Sequence, residues 1–206
     1  MKRLVDIIIA SIALLLLSPI FLIVAYKVRK NLGSPIFFYQ ERPGKDCKNF
    51  RMIKFRSMKN AFDKDGQPLP DDQRITPFGK KLRSTSLDEM PQLINVLKGD
   101  MSIVGPRPQL SEFVEHYTPH QLRRHNVKPG MTGLAQVSGR NNLSWEEKFD
   151  LDVQYVEKQS TLLDFKIMFK TVEVMLKKEG IDSPDQAVGA SRFSGTESTD
   201  TKSTNH

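Results

Sequence analysis

The sequence predicts a helix-dominated α+β chain in which an N-terminal membrane segment leads into a compact cytosolic domain. Three observations predict it. Ile7 to Tyr26 is an apolar run without a charge, two β-prone runs flank Pro43-Gly44, and Thr76, Ser86 and Ser144 each open a stretch with helical apolar spacing.

At 206 residues with one cysteine, the chain has the size of one domain with an appendage. Its composition excludes collagenous, wholly disordered, polytopic membrane and disulfide-stapled secreted classes, and a reducing compartment is the default. The charge is uneven. Residues 1–60 hold 12 of the 31 Lys/Arg against Asp6, Glu41 and Asp46, a net +9, and the remainder carries 19 against 21, a net −2. Positive charge gathered around one greasy segment points to an anionic lipid surface rather than to nucleic acid, for which no RNP signature or zinc spacing is present.

The apolar run is long enough as a helix to cover the roughly 30 Å hydrocarbon core. No small-residue cleavage site precedes Lys27-Val28-Arg29-Lys30, which argues against a signal peptide. Lys2-Arg3 precedes the run and Lys27, Arg29 and Lys30 follow it, so the positive-inside rule draws both ends to the cytoplasm. Pro19 removes a donor and clashes with the Leu15 carbonyl, while Ser18 can bond back to a carbonyl one turn earlier. Charge and proline together fit a re-entrant, monotopic helix–break–helix at Ser18-Pro19; a tilted span fits the proline as well.

Residues 35–56 read as a hairpin, with Lys54 and Arg56 on one face and Ile53 and Phe55 on the other, and Cys47 an ordinary exposed thiol in the connection. Residues 60–75 form a surface loop. Thr76-Pro77 caps a short basic helix through Lys80, Lys81 and Arg83. Ser86-Leu87-Asp88-Glu89 is a capping-box pattern opening a helix that stops at Gly99, burying Leu87, Met90, Leu93, Ile94 and Leu97 and turning Asp88, Gln92 and Asn95 to the other side. Met101 to Val104 is a short strand with a stiff exit through Gly105-Pro106-Arg107-Pro108. A helix interrupted at Pro119 covers 109–126, and 128–142 is a glycine-rich loop. Ser144-Trp145-Glu146-Glu147 caps a helix to about Lys158. A last helix, 162–178, aligns Leu162, Phe165, Phe169, Val172 and Leu176 opposite its lysines, a stripe directed to the core, with a membrane-lying surface as the alternative for a domain beside a bilayer. Beyond Ala187 the Ser/Thr-rich tail is disordered.

Adjacent Asp88 and Glu89, with Arg83, Lys80 and Lys81 upstream, could hold a divalent cation such as Mg²⁺, or present a nucleophile to phosphorus. Simple helix capping accounts for the same two acids. Pro106-Arg107-Pro108 holds a guanidinium outward for a phosphate or planar base, and an ordinary turn uses the same residues. Arg140, beside Gly139, offers a similar but weaker signal. His116, His120 and His125 lack the register and companions of a metal set.

These motifs lie in a recognisable order: Ser18-Pro19, Lys54-Phe55-Arg56-Ser57-Met58, Arg83 to Gln92, Lys98 to Ser102, Gly105 to Pro108, Lys128 to Gly133, and Ser138 to Asn141. The pattern resembles the bacterial sugar transferases, the monotopic phosphoglycosyl transferases, over roughly residues 1–185, and among them the small bacillosamine-phosphate transferases of protein glycosylation. The resemblance implies a re-entrant membrane helix over 1–30, a catalytic domain over 31–187 with interfacial amphipathic helices, and a tail over 188–206 outside the pattern. It implies transfer of a sugar 1-phosphate from a UDP-sugar to polyprenyl (undecaprenyl) phosphate, releasing UMP, on the cytoplasmic face of the bacterial inner membrane. Asp88 would attack the β-phosphorus in a ping-pong reaction, and Glu89 would support the site and share Mg²⁺. Lys54, Arg83, Arg107 between Pro106 and Pro108, and Arg140 would surround the donor. Partners would be the donor, the lipid acceptor, inner-membrane phospholipid and downstream glycosyltransferases, with no nucleic acid. The rival reading is a non-enzymatic membrane-anchored binding protein, in which Asp88 and Glu89 only cap a helix.

Overall fold

One long helix, α1 (Lys2–Leu32), carries the whole apolar run. The structure is a computed structural model and describes residues 1–139, 143–177, 193 and 195. Helical structure is not interrupted at Ser18-Pro19: in place of the expected helix–break–helix, Pro19 lies inside a single helix. The Leu15 carbonyl, denied an amide by Pro19, accepts the Ser18 hydroxyl at 2.8 Å. The acceptor that proline would leave bare in apolar surroundings is thereby satisfied, and the helix can continue.

Both ends of α1 are tied to one body. At the start, Lys2 Nζ donates to Asp164 Oδ2 at 2.8 Å and to the Val104 carbonyl at 3.0 Å, and Arg3 Nη2 donates to the Leu97 carbonyl at 2.7 Å. Buried Asp6 accepts from the Ser102 hydroxyl at 2.9 Å and the Ile103 amide at 3.0 Å. Along its length Ala10 packs with Met52, Leu93, Val96 and Met101, and Val24 and Val28 pack with Phe55, Leu82 and Met90. At the far end Arg56 donates to the carbonyls of Leu32 and Ser34, closing the helix C-terminus. The opposite face leaves Leu4, Ile8, Ile12, Leu15, Leu16, Leu22, Ile23 and Tyr26 exposed.

The hairpin forms as the alternation predicts: β1 (Phe37–Pro43) and β2 (Asn49–Phe55) pair antiparallel with Phe37 opposite Phe55. A one-turn helix, α2 (Asp71–Arg74), punctuates the surface loop. Next comes α3 (Pro77–Ser84), whose cap Thr76 accepts the Gly79 amide at 3.1 Å. The next start differs from expectation. Ser86 takes a left-handed conformation at φ 55° and caps nothing, Leu87–Glu89 form a 3-10 turn, and α4 (Gln92–Lys98) begins only after Pro91. α4 ends at Gly99, φ 94°, as the sequence signalled. Asp88, Gln92 and Asn95 are buried rather than turned outward. Asn95 Oδ1 accepts the Ile53 amide at 3.0 Å and its Nδ2 donates to the Arg51 carbonyl at 2.8 Å, stitching α4 to β2.

Strand β3 (Ser102–Val104) follows. The expected helix over 109–126 is three pieces: a 3-10 turn Ser111–His116, α5 (Pro119–Leu122), and a 3-10 turn Arg123–Asn126. Thr118 and Gln121 form a capping box that makes Pro119 a helix start instead of an interruption. Within the expected glycine-rich loop lie β4 (Gly130–Thr132), parallel to β3, and α6 (Leu134–Ser138). Here β3 and β4 approach through glycine: a Cβ on Gly130 would lie 2.1 Å from the Gly105 amide nitrogen. The Gly130 amide donates to the Pro106 carbonyl at 2.9 Å, fixing the start of the Pro-Arg-Pro segment. Helix α7 (Trp145–Lys158) carries the Ser144/Glu147 capping box as read from sequence.

The last helix, α8 (Thr161–Lys177), has the predicted periodicity but the opposite phase. Leu162, Phe169 and Leu176 are 66%, 76% and 79% exposed, and Phe165 and Val172 are exposed too, whereas Asp164, Ile167 and Val174 face inward. Asp164 sets this phase, because Lys2 and the Tyr155 hydroxyl, at 2.6 Å from Oδ1, hold it against the body. Apart from Phe193 and Gly195, the tail lies outside the described residues.

Candidate active site

The departure at Ser86 builds the site. Its left-handed turn, a conformation disfavoured for a residue with a Cβ, throws Asp88 and Glu89 onto the 3-10 turn between α3 and α4. Glu89 there caps no helix. Its Oε1 accepts from Lys54 Nζ on β2 at 2.8 Å and from Arg107 Nη2 at 2.6 Å, and its Oε2 accepts from Arg107 Nη1 at 3.2 Å. Burial alone would raise its pKa, yet the charges and hydrogen bonds of Arg107 and Lys54 override it and hold Glu89 far below the usual carboxylate range.

Asp88 is the contrast. Its residue is 8% exposed, and it makes no hydrogen bond or ion pair with the described residues. Burial first, and then the charge of Glu89, push its pKa up to about 6, against the pull of Lys54, Arg83 and Arg107. Arg83 is held by a hydrogen bond from its Nε to Ser57 Oγ at 2.9 Å. Arg107, 43% exposed in its side chain, presents its guanidinium between buried Pro106 and Pro108. Asp88, Glu89, Lys54, Arg83 and Arg107 thus come together from four separate stretches of chain. Ser18 and Pro19 sit apart, exposed on α1, and Arg140 lies outside the described residues. His125 is buried with Nδ1 3.1 Å from the Gly44 carbonyl, and His120 faces Asp150 at 3.2 Å.

One member escaped the sequence reading. Arg42, near the end of β1, donates to Gln40 Oε1 at 2.7 Å, and its buried Nε has no partner. It forms no ion pair with the described residues, although Arg107 and Glu89 both act on it; burial and then Arg107 lower its pKa to about 10. Its only sequence signal is an inward position beside Pro43-Gly44.

The donor set bears on Mg²⁺. Among the described residues no three His, Cys, Asp or Glu converge. Both Glu89 oxygens already accept from cations, so Asp88 is the carboxylate that fits, as one ligand beside substrate phosphates and water, an arrangement Mg²⁺ favours. What the site can do chemically is plain: a carboxylate freed of partners and ringed by cations can be aimed at an anionic phosphorus.

A family model described as bacterial sugar transferase matches residues 1–178. The chain is 50% identical to the uncharacterized sugar transferase EpsL of Bacillus subtilis over 95% of its own length and 96% of EpsL. It is 45% identical to the UDP-glucose:undecaprenyl-phosphate glucose-1-phosphate transferase of Klebsiella pneumoniae over 83% of this chain, and spans only 39% of that longer protein. Identity to the exopolysaccharide production protein ExoY of Rhizobium meliloti is 36%, over 87% of both chains.

The raised pKa of Asp88 has a signed effect on stability. The native state holds this proton more tightly than the unfolded chain, so its contribution is present at low pH and is lost as pH rises toward about 6. Asp88→Asn removes the penalty. In metal-free buffer at pH 7.5 the variant should be more stable than the wild type, by on the order of 3 kcal/mol at most and read as a higher unfolding temperature, with the gap closing toward pH 4. A variant no more stable at pH 7.5 would contradict the burial of a charged Asp88.

Proposed function

Because this chain belongs to the bacterial sugar transferase family, we propose that it transfers a sugar 1-phosphate from a UDP-sugar to undecaprenyl phosphate, releasing UMP and leaving a lipid-linked diphosphosugar. The observation that carries the reading is the unpartnered Asp88 carboxylate among Lys54, Arg83 and Arg107. In the first half-reaction an Asp88 oxygen forms a bond to the donor's β-phosphorus, and the bond from that phosphorus to the bridging oxygen breaks, with UMP taking the electron pair. In the second, a phosphate oxygen of the lipid attacks the same phosphorus and restores the Asp88 carboxylate. A two-step course lets the soluble nucleotide leave before the lipid enters.

Each half-reaction displaces a group from an anionic phosphorus, so positioning and fixed positive charge do most of the work. Lys54 and Arg107 are locked by Glu89 and need little reorganisation, and Arg83 is held by Ser57. Arg42, without a carboxylate of its own, is suited to the leaving UMP phosphate. Mg²⁺ at Asp88 would neutralise charge on the donor's diphosphate when bound.

The reading places the protein on the cytoplasmic face of the bacterial inner membrane. Two features support contact with a membrane from one side. A helix of about 46 Å at 1.5 Å per residue, tied to the domain at both ends, suits a monotopic anchor lying within one leaflet better than a span. The exposed apolar faces of α1 and α8 then both meet phospholipid. The product would pass to downstream glycosyltransferases, and the name of ExoY favours polysaccharide assembly over protein glycosylation.

Purified protein incubated with a panel of UDP-sugars, undecaprenyl phosphate and Mg²⁺ should release UMP. Asp88→Asn should abolish release with folding and membrane association intact, and Arg107→Ala should slow it by about two to three orders of magnitude. An Asp88→Asn protein that works at normal speed would return the chain to the class of anchored binding proteins. For Arg42→Gln, the preference for UMP over uridine, measured as a ratio of dissociation constants, should shrink by about tenfold; an unchanged ratio would remove Arg42 from the phosphate site. In a Cys47→Ser background, cysteines placed at Lys2 and Lys30 should react with an impermeant reagent from the same, cytoplasmic side, and labelling from opposite sides would mean a spanning helix.

A further inference from the structure

Arg124 carries no role in the chemistry above, yet it is a fully buried charge, 2% exposed. Its Nε and Nη2 donate to Asp152 Oδ2 at 3.1 and 2.6 Å, and its Nη1 donates to the Tyr117 hydroxyl at 3.0 Å. The same Nη2 donates to the backbone carbonyl of Arg107 at 2.7 Å. A buried ion pair is a poor device for stability alone, because desolvation offsets its attraction, and here the Asp152 Oδ1 is left without a partner. What the pair does that an apolar plug could not is grip the main chain of Arg107. Flanked by Pro106 and Pro108, Arg107 has neighbours without amides to donate, so the segment's main chain is held by this bond together with the Gly130 amide on the Pro106 carbonyl and the Gly105 amide on the Thr132 carbonyl.

The guanidinium of Arg124 is enclosed by rings. It lies 5.1 Å from the Phe149 centroid and 5.5 Å from that of Tyr117. Those rings belong to a cluster with Phe113 and Trp145 that is closed by Phe193, whose ring is 5.0 Å from Phe149, 5.7 Å from Tyr117, 5.6 Å from Phe113 and 6.0 Å from Trp145. Phe193 is 5% exposed, although it comes from the stretch to which the sequence reading gave no role and which lies past the family match. Removing that ring would open the Tyr117 and Phe149 faces to water and weaken the charge contacts behind them.

We propose that Arg124 is a positioning residue for Arg107, and that Phe193 completes the aromatic wall that keeps Arg124 in place, making the Phe193 side chain part of the support for the site. The inference rests on the reading that Arg107 works at the donor phosphates. Because removing Arg124 strands the buried Asp152 carboxylate and threatens the fold, the test uses Phe193→Ala in the full-length protein, with Phe193→Leu, which retains most of the apolar volume, as the conservative partner. Hydrogen exchange should quicken in the segment Ser102–Leu110 of the alanine variant. UMP release should fall about 10- to 100-fold, as expected when a charge-bearing group is misplaced, with most of it restored by leucine. In an Arg107→Ala background Phe193→Ala should add less than about a twofold loss, since its effect passes through Arg107. A full, additive loss in that background, or unchanged exchange around Arg107, would overturn the proposal. If the wild type released no UMP from any UDP-sugar, the proposed function would fail, and the exchange measurement alone would decide whether Phe193 positions Arg107.

Discussion

The site depends on Glu89. Its carboxylate joins Lys54, from the hairpin, to Arg107, from the proline-flanked segment after β3, and those groups are remote from one another along the chain. An ion pair of this kind adds little to stability at a surface, but here Glu89 is largely shielded and two cations share it, which fixes both their geometry and its own charge. The neighbouring Asp88 inherits the consequence. It lies beside a permanent negative charge in a poorly solvated place and is left with cations arranged around it but bonded elsewhere. One acid is spent on architecture so that the other stays unengaged.

The same principle, a polar group held by distant partners, ties α1 to the body. Lys2, Arg3 and Asp6 at one end and the Leu32 carbonyl, capped by Arg56, at the other all make hydrogen bonds between α1 and later parts of the chain. Between them the inner face supplies Ala10, Val24 and Val28 to the interior, while the outer face stays greasy. Helix α8, bound to α1 through Lys2 and Asp164, adds a second apolar stripe.

Local chemistry was legible in the sequence wherever the partner lay within a turn. Thr76 and Ser144 cap their helices, Gly99 stops α4, Ser18 takes the Leu15 carbonyl, and the hairpin pairs about Pro43-Gly44. At Ser86 the capping pattern yields to a tertiary demand, the two cations that claim Glu89. At Pro119 the preceding Thr118 makes a helix start of what resembles a break. For α8 the period was right, but periodicity distinguishes two faces without saying which one meets protein and which meets some other apolar medium. The grouping of Asp88, Glu89, Lys54, Arg83 and Arg107 came from motif resemblance rather than from spacing. Arg42 and Arg124 were invisible, since the significance of each lies in what stands opposite it in space.

The inner face of α1 bears on how such a protein can be handled. Its side chains are shared between the anchor and the interior, so excising the first thirty-odd residues would not yield a water-soluble transferase but a body with Met52, Val96, Phe55 and Leu82 laid bare. The long apolar segment is at once a wall of the globule, and the two cannot be purified apart.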